Sequence, residues 1–307
     1  MKKIISVFCL LCVIFTVGCS PTASIVVEDQ SLPSGALRKT KLYYANDAGL
    51  ILPVVREIPW DDGIACAALS YLVGTEDNIR EAASHGLRTV IPEGTEFSLR
   101  IDEKKTAKLD VKNLPTLPDG ESERIFLQTV VNTLTAFDTI DCVSITFNGE
   151  KLAALPHHTR INSEMNTYLL NPVNTEAETI AQGSISTVIL YVPDCTCRYS
   201  LPLTCYVTGK ADFEAAMKKF CSCSEEFGTA LPQGTDILSA ALTEKTAVVN
   251  FSDGFSDVLT YGDGVYEAVY RAVYLTACEY GDVDTVRIFS GGTAMPDVQA
   301  ANCSNIW

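Results

Sequence analysis

Any chemistry in this chain has to come from its cysteines, its three histidines and a few adjacent acids. The sharpest pattern is Cys195-x-Cys197 followed by Cys221-x-Cys223, because four thiolates can close a tetrahedral zinc site. The spacing is tighter than the usual knuckle with two intervening residues. Disulfides between the two segments and free thiols therefore stay open beside metal, and the state of Cys205, which lies between them, is equally open. No resident metal or cofactor is expected. His85, His157 and His158 fall in no nucleophile or metalloprotease motif. His157-His158 follows Pro156 and reads as two solvated loop histidines. Asp61-Asp62 and Glu225-Glu226 suggest paired carboxylates, but adjacent acids on a solvated helix or loop have no fixed separation. No catalytic residue is assigned, and the chain is not expected to be an enzyme.

Another cysteine points to the membrane. Lys2 and Lys3 precede an apolar stretch from Ile4 to Phe15, too short to cross a hydrocarbon core of about 30 Å as a permanent helix. It reads as a cleaved leader over residues 1–18. Thr16-Val17-Gly18-Cys19-Ser20 resembles a bacterial lipobox, in which the cysteine thiol takes diacylglycerol before cleavage at Gly18. Thr16 stands where that motif usually has Leu, Val or Ile. The expectation is a lipidated Cys19 whose acyl chains hold the protein on the extracytoplasmic face of the cell membrane, each buried methylene contributing about 0.8 kcal/mol. An ordinary secretory leader with an incidental cysteine is the alternative.

Composition bounds what the rest can be. With 307 residues, 47% hydrophobic and 20% charged, the chain suits about two globular domains, which excludes disorder and collagen-like repetition. Twelve cysteines amount to about 4%, below the roughly 8–10% of a disulfide scaffold. A net charge of −15, made more negative when Lys2 and Lys3 leave, argues against nucleic acid or a bare anionic bilayer as the main partner.

A repeat organises everything after the leader. Ile91 to Lys112 aligns without a gap onto Leu231 to Ser252, with Pro92, Gly94, Thr95 and Lys105 recurring as Pro232, Gly234, Thr235 and Lys245. Further on, Val130, Thr133, Asp141, Val143, Ile145 and Gly149 recur as Val273, Thr276, Asp284, Val286, Ile288 and Gly292. Leu42-Tyr43-Tyr44 resembles Leu190-Tyr191-Val192, so each copy opens with a short apolar strand. The expected organisation is a tether over 19–37, a first copy over 38–155, a linker over 156–186 and a divergent second copy over 187–298.

Periodicity supplies the elements within a copy. Phe97, Leu99 and Ile101 alternate with polar residues, as do Ala107, Leu109 and Val111, which predicts a β-hairpin with one buried face. Phe126, Val130, Leu134 and Phe137 follow helical spacing behind Asp119, Glu121 and Glu123, acids that suit a helix N-terminus. Val143, Ile145 and Phe147 form a last strand ending at Asn148-Gly149, and an earlier helix covers about Gly63 to Leu72. The fold class is α+β: two tandem βαββαβ domains, each a small sheet covered by two helices. Tyr266, Tyr270 and Tyr274 form a stripe in the second copy, read as the edge of a core or as an exposed partner surface.

The string Gly86-Leu87-Arg88-Thr89-Val90-Ile91-Pro92-Glu93-Gly94-Thr95, with Gly74, Leu109-Asp110-Val111 and the run from Val143 to Gly149, resembles the GerM domain, which occurs in tandem in a bacterial sporulation and spore-germination lipoprotein. Thr75 and Asp138 stand where that family often has proline, and the second copy keeps little beyond Leu231 to Thr235 and its closing strand. The resemblance implies a fold similar to ring-building motifs, which assemble into multimeric rings in a sporulation envelope complex, and it brings no catalytic residues. Two functions follow as expectations: a membrane-anchored assembly protein with protein partners or self-association, or an envelope module that binds a cell-wall fragment or small solute in a cleft between the copies.

Overall fold

The computed structural model describes residues 36–173, 185–262, 264–298 and 305–307. Cys19, the leader and most of the expected tether lie outside them. The chain opens with an antiparallel hairpin of β1 (Leu37–Ala45) and β2 (Ile51–Pro59), turned at Asn46, whose Oδ1 accepts the Leu50 N–H at 2.9 Å. Two short helices follow, α1 (Ile64–Ser70) and α2 (Glu76–Ser84). Thr75 caps α2, its hydroxyl accepting the Asn78 N–H at 3.3 Å. Next come β3 (Glu96–Ile101), β4 (Thr106–Lys112), helix α3 (Gly120–Thr135) and β5 (Cys142–Phe147). Strands β3 and β4 are antiparallel, and α3 is the crossover that lets β5 run parallel to β4.

The second half repeats this plan after a two-residue strand β6 (Pro172–Val173). Its hairpin is β7 (Ile185–Pro193) with β8 (Ser200–Thr208), and α4 (Phe213–Phe227) replaces the two short helices. Strands β9 (Ile237–Thr243) and β10 (Thr246–Phe251), helix α5 (Val265–Cys278) and β11 (Thr285–Ser290) then match β3, β4, α3 and β5, with β12 (Thr293–Ala294) added at the end.

The expected helices and hairpins are present, and each copy carries a strand inside its opening hairpin that the periodicity does not show, β2 in the first and β8 in the second. β2 and β8 contain Pro53 and Pro202, which lower strand propensity and hide the pattern. The opening strand consequently pairs with this extra strand, as a hairpin separate from the three-stranded sheet β3-β4-β5.

Equivalent residues hold equivalent joints. Gly94 and Gly234 take φ of 82° and 77°, a region where a Cβ is costly, and each turn closes with a bond from Thr95 or Thr235 N–H to the carbonyl of Pro92 or Pro232. The parallel strands are tied at one end by Asp141 N–H to Lys105 O and by Asp284 N–H to Lys245 O, at 2.9 and 2.8 Å. At the other end Asp110 accepts from Gly149 N–H at 2.7 Å, where the second copy uses Asn250 and Gly292 at 3.0 Å. The recurring threonines play the same part in both copies. Tyr43 N–H bonds Thr133 Oγ1, and Tyr191 N–H bonds Thr276 Oγ1, joining each opening hairpin to its copy's long helix.

Helix α3 starts at Asp119, whose carboxylate accepts the Ser122 N–H at 2.7 Å and sits below the ordinary aspartate range because of that bond. Its stripe of Phe126, Val130 and Leu134 is completely buried. In α5, Tyr266 and Tyr270 are buried and Tyr274 packs half-buried beside them, so the tyrosine row is the edge of the core. Phe126→Ala should lower the unfolding free energy by about 3–5 kcal/mol in chemical denaturation, because no neighbour can fill a void of that size.

Candidate functional site

The two copies are joined by an exchange of chain ends. Asn171, which follows the first copy, sits buried with its Oδ1 accepting Ile51 N–H at 2.9 Å and its Nδ2 donating to Ile51 O and Pro202 O, each at 2.7 Å. Asn305, which follows the second copy, mirrors it. Its Oδ1 accepts Ser200 N–H at 2.6 Å, and its Nδ2 donates to Ser200 O at 2.7 Å and Pro53 O at 2.9 Å. Each asparagine side chain thus uses both donors and its carbonyl oxygen on the first three residues of β2 and β8, reaching both copies.

The backbones follow the side chains. β6 pairs in parallel with β8 of the second copy, Val173 opposite Cys205, while Ile306 bridges in parallel to Val55 on β2 of the first. Val55 N–H reaches Asn305 O at 2.7 Å and Trp307 N–H reaches Val55 O at 2.9 Å. Each copy therefore completes the hairpin of the other.

Trp307 ends this segment against the first copy. Its ring stacks on His85 at 4.4 Å, and the Arg56 guanidinium lies 4.5 Å from its centroid and 4.2 Å from that of Tyr71. One guanidinium nitrogen of Arg56, Nη2, donates to both carboxylate oxygens of Glu81 at 2.8 and 2.9 Å, and the Trp307 indole N–H donates to the same carboxylate at 3.3 Å. His85 Nδ1 lies 3.2 Å from the Tyr199 hydroxyl of the second copy. Burial, with Arg198 nearby, holds the His85 imidazole below its usual value.

A groove of about 330 Å³ lies inside the first copy, where Arg88, Val90 and Glu93 face Leu117 and Ser122. Arg88 to Glu93 of the glycine-flanked string line it, together with Gly74, whose N–H bonds Ile91 O at 2.7 Å.

The remaining feature shared by both copies is an open strand edge. β3 and β9 each form one of the two outer edges of their sheet, with no strand among the described residues on that outer side. The Cys66 thiol on α1 reaches Phe97 O at 3.7 Å at the start of β3; Ser98, Arg100 and Ile101 beyond it are exposed. β9 carries no charge, and Leu238 on it is 58% exposed. Unpaired edges of this kind template the addition of another strand.

The singled-out side chains disperse. Cys195 is exposed, Cys197 Sγ lies 3.3 Å from Thr229 Oγ1, and Cys221 is half-buried, whereas Cys223 faces Cys205 rather than the first Cys-x-Cys pair. Among the described residues no group of three or more His, Cys, Asp or Glu side chains is placed to hold a metal. His157 and His158 are exposed, although the backbone of that loop is tied down: buried Glu123 accepts the His157 N–H at 2.7 Å. Asp61-Asp62 and Glu225-Glu226 are solvated, Asp61 accepting the Gly63 N–H ahead of α1. Sequence reasoning missed Asn171, Asn305 and Trp307; the short match of Asn171-Pro172-Val173 with Asn305-Ile306-Trp307 was the available signal.

These features define a tandem α+β protein whose two copies complete each other and present like-placed strand edges. A family model described as Germane, sporulation and spore germination, matches residues 41–153 and 189–295, and the chain belongs to that family. It is 31% identical over 116 residues to the spore germination protein GerM of Bacillus subtilis, an alignment covering 38% of this chain and 31% of that protein's length. The structure of the tandem GerMN domains of that Bacillus subtilis protein superposes with a TM-score of 0.65 at 21% identity, covering 88% of this chain and 99% of the other, a likeness of fold.

Asn305→Ala should cost about 2–4 kcal/mol, since it strands buried backbone groups of both copies without water to replace the amide, and Asn171→Ala should cost a similar amount. Protonation of His85 should quench Trp307. In a Trp60→Phe background, fluorescence is expected to fall as the pH drops through a midpoint below about 6.5, and His85→Gln should abolish the step. The sign follows from the depressed value: the native form binds the proton less readily, so this contribution to stability is present above the unfolded value and lost as the pH falls through the folded one.

Proposed function

We propose that the chain is a lipid-anchored, non-enzymatic scaffold protein of the envelope of a spore-forming cell. It works in sporulation or germination by adding to protein neighbours, copies of itself included, through β3 and β9. The observation that carries this reading is the pair of like-placed sheet edges, β3 in the first copy and β9 in the second, held in a fixed relation by the Asn171 and Asn305 junction. Family membership supports the process, and the Lys2-Lys3, apolar run and Gly18-Cys19 order supports the anchor on Cys19. Edge contacts are individually weak, and a shared membrane raises the effective concentration of each neighbour until they suffice.

The groove beside Arg88 supports the second reading, a module for a cell-wall fragment or small solute. It is the weaker one, because its only cation, Arg88, already donates to Asn46 O.

The mature chain, tethered through its N-terminus to liposomes and treated with a crosslinker, should give species larger than a dimer. Leu238→Lys together with Ser98→Lys should reduce them to monomer without loss of thermal stability, both positions being exposed. A chain that stays monomeric on liposomes and shows a ligand-dependent thermal shift would overturn the scaffold in favour of the binding module. Mass spectrometry of the N-terminus should find a diacylated Cys19, and Cys19→Ala should release the protein from the membrane or strand its precursor; an unmodified chain beginning elsewhere removes the anchor.

A further inference from the structure

Two thiols that neither the copy junction nor the strand edges use meet inside the second copy. Cys205 on β8 and Cys223 on α4 are 0% and 1% exposed, and their Sγ atoms lie 3.6 Å apart. A disulfide bond is about 2.05 Å long, so a small rotation of the two side chains brings the sulfurs to bonding distance. We propose that Cys205 and Cys223 are a redox pair that closes to a disulfide, stapling β8 to α4, with the protein disulfide of a thiol–disulfide exchange protein as oxidant.

The electron balance is that of two successive exchanges. The Cys223 thiolate attacks one sulfur of the exchange protein's disulfide, that bond breaks, and the other sulfur leaves as a thiolate. The Cys205 thiolate then attacks Cys223 Sγ in the mixed disulfide, forming the Cys205–Cys223 bond and releasing the exchange protein's remaining sulfur. Two electrons pass to the exchange protein, which leaves as a dithiol carrying the two protons given up here. The same balance holds if Cys205 attacks first, since neither thiol is engaged by the other before α4 docks on β8.

Burial sets the moment of closure. Exchange has to take place while α4 is still undocked from β8, after which the bond is shielded from small thiols. The staple would also act on the junction, because Cys205 is the residue opposite Val173 where β6 joins β8. It goes beyond the scaffold role and does not depend on it.

The test is to reduce and unfold the mature chain, refold it with a glutathione redox pair and an exchange catalyst, then alkylate it in denaturant and map the peptides. The peptides holding Cys205 and Cys223 should be joined, two hydrogens lighter, with Cys66, Cys142 and Cys278 alkylated. The oxidised protein should melt several degrees above the reduced one, and Cys205→Ala and Cys223→Ala should each remove that difference while still folding. Full alkylation of both thiols after oxidative refolding, or Cys223 joined instead to Cys195 or Cys197, would overturn the proposal.

Discussion

The fold depends on a requirement that buried amide and carbonyl groups be bonded, met here by two asparagine side chains that work as a reciprocal pair. β2 and β8 each begin with a residue whose N–H and C=O point into the middle of the molecule, followed two residues later by a proline carbonyl. Leaving such groups without partners costs about 1–3 kcal/mol apiece. One asparagine amide supplies one acceptor and two donors, and it satisfies the start of one copy's strand and the proline carbonyl of the other at once. Neither hairpin is complete without the segment that follows the opposite copy. The two copies therefore belong to one folding unit in which both long helices, both hairpins and both open edges keep fixed places.

That arrangement also explains why a proline recurs inside the second strand of each hairpin. Pro53 faces Tyr43 and Pro202 faces Tyr191, and neither offers an N–H on the side where the exchanged segment arrives. The strand can accept an asparagine amide at that carbonyl without a competing donor beside it. The same prolines make β2 and β8 read as loops. The features legible in the sequence are local ones: the alternation of Phe97, Leu99 and Ile101, the stripe from Phe126 to Leu134, the acids before α3, and the Pro-x-Gly-Thr turn. What stayed hidden is set by contacts between segments distant in the sequence, such as Ile51 with Asn171, which leave no periodic trace. The cysteines show the same division. Their Cys-x-Cys spacing suggests a set of four, but Cys221 and Cys223 are two positions apart on a helix and face different surroundings, so only Cys223 enters the core.

Divergence between the copies falls where these constraints are slack. The joints that hold parallel strands together keep their roles with changed atoms, Asp110 becoming Asn250 while the bond to the following glycine persists. Two short helices in the first copy become a single α4 in the second, whose Asp212 cap is bonded to Ala215 N–H at 3.0 Å. Each solution places a helix beside the opening hairpin of its own copy, α1 against β1 and α4 against β7. In the first copy the string that carries the family resemblance serves twice, as a wall of the Arg88 groove and as the turn into β3.

The two open edges have diverged as well, and their difference constrains any assembly built on them. β3 bears Glu96 and Arg100 along its length, while β9 is uncharged and exposes Leu238 and Ala241. An interface between two identical edges is closed by a two-fold axis and stops at a dimer, whereas an interface between unlike edges runs head to tail and continues until it closes into a ring or grows as a filament. A rigid junction between the copies is what would make the rotation per subunit constant, so that closure is decided by geometry rather than by chance. In the proposed scaffold role the asparagine exchange and the strand edges are therefore parts of one device: the buried amides fix the angle at which the edges are offered, and the edges turn that angle into a shape.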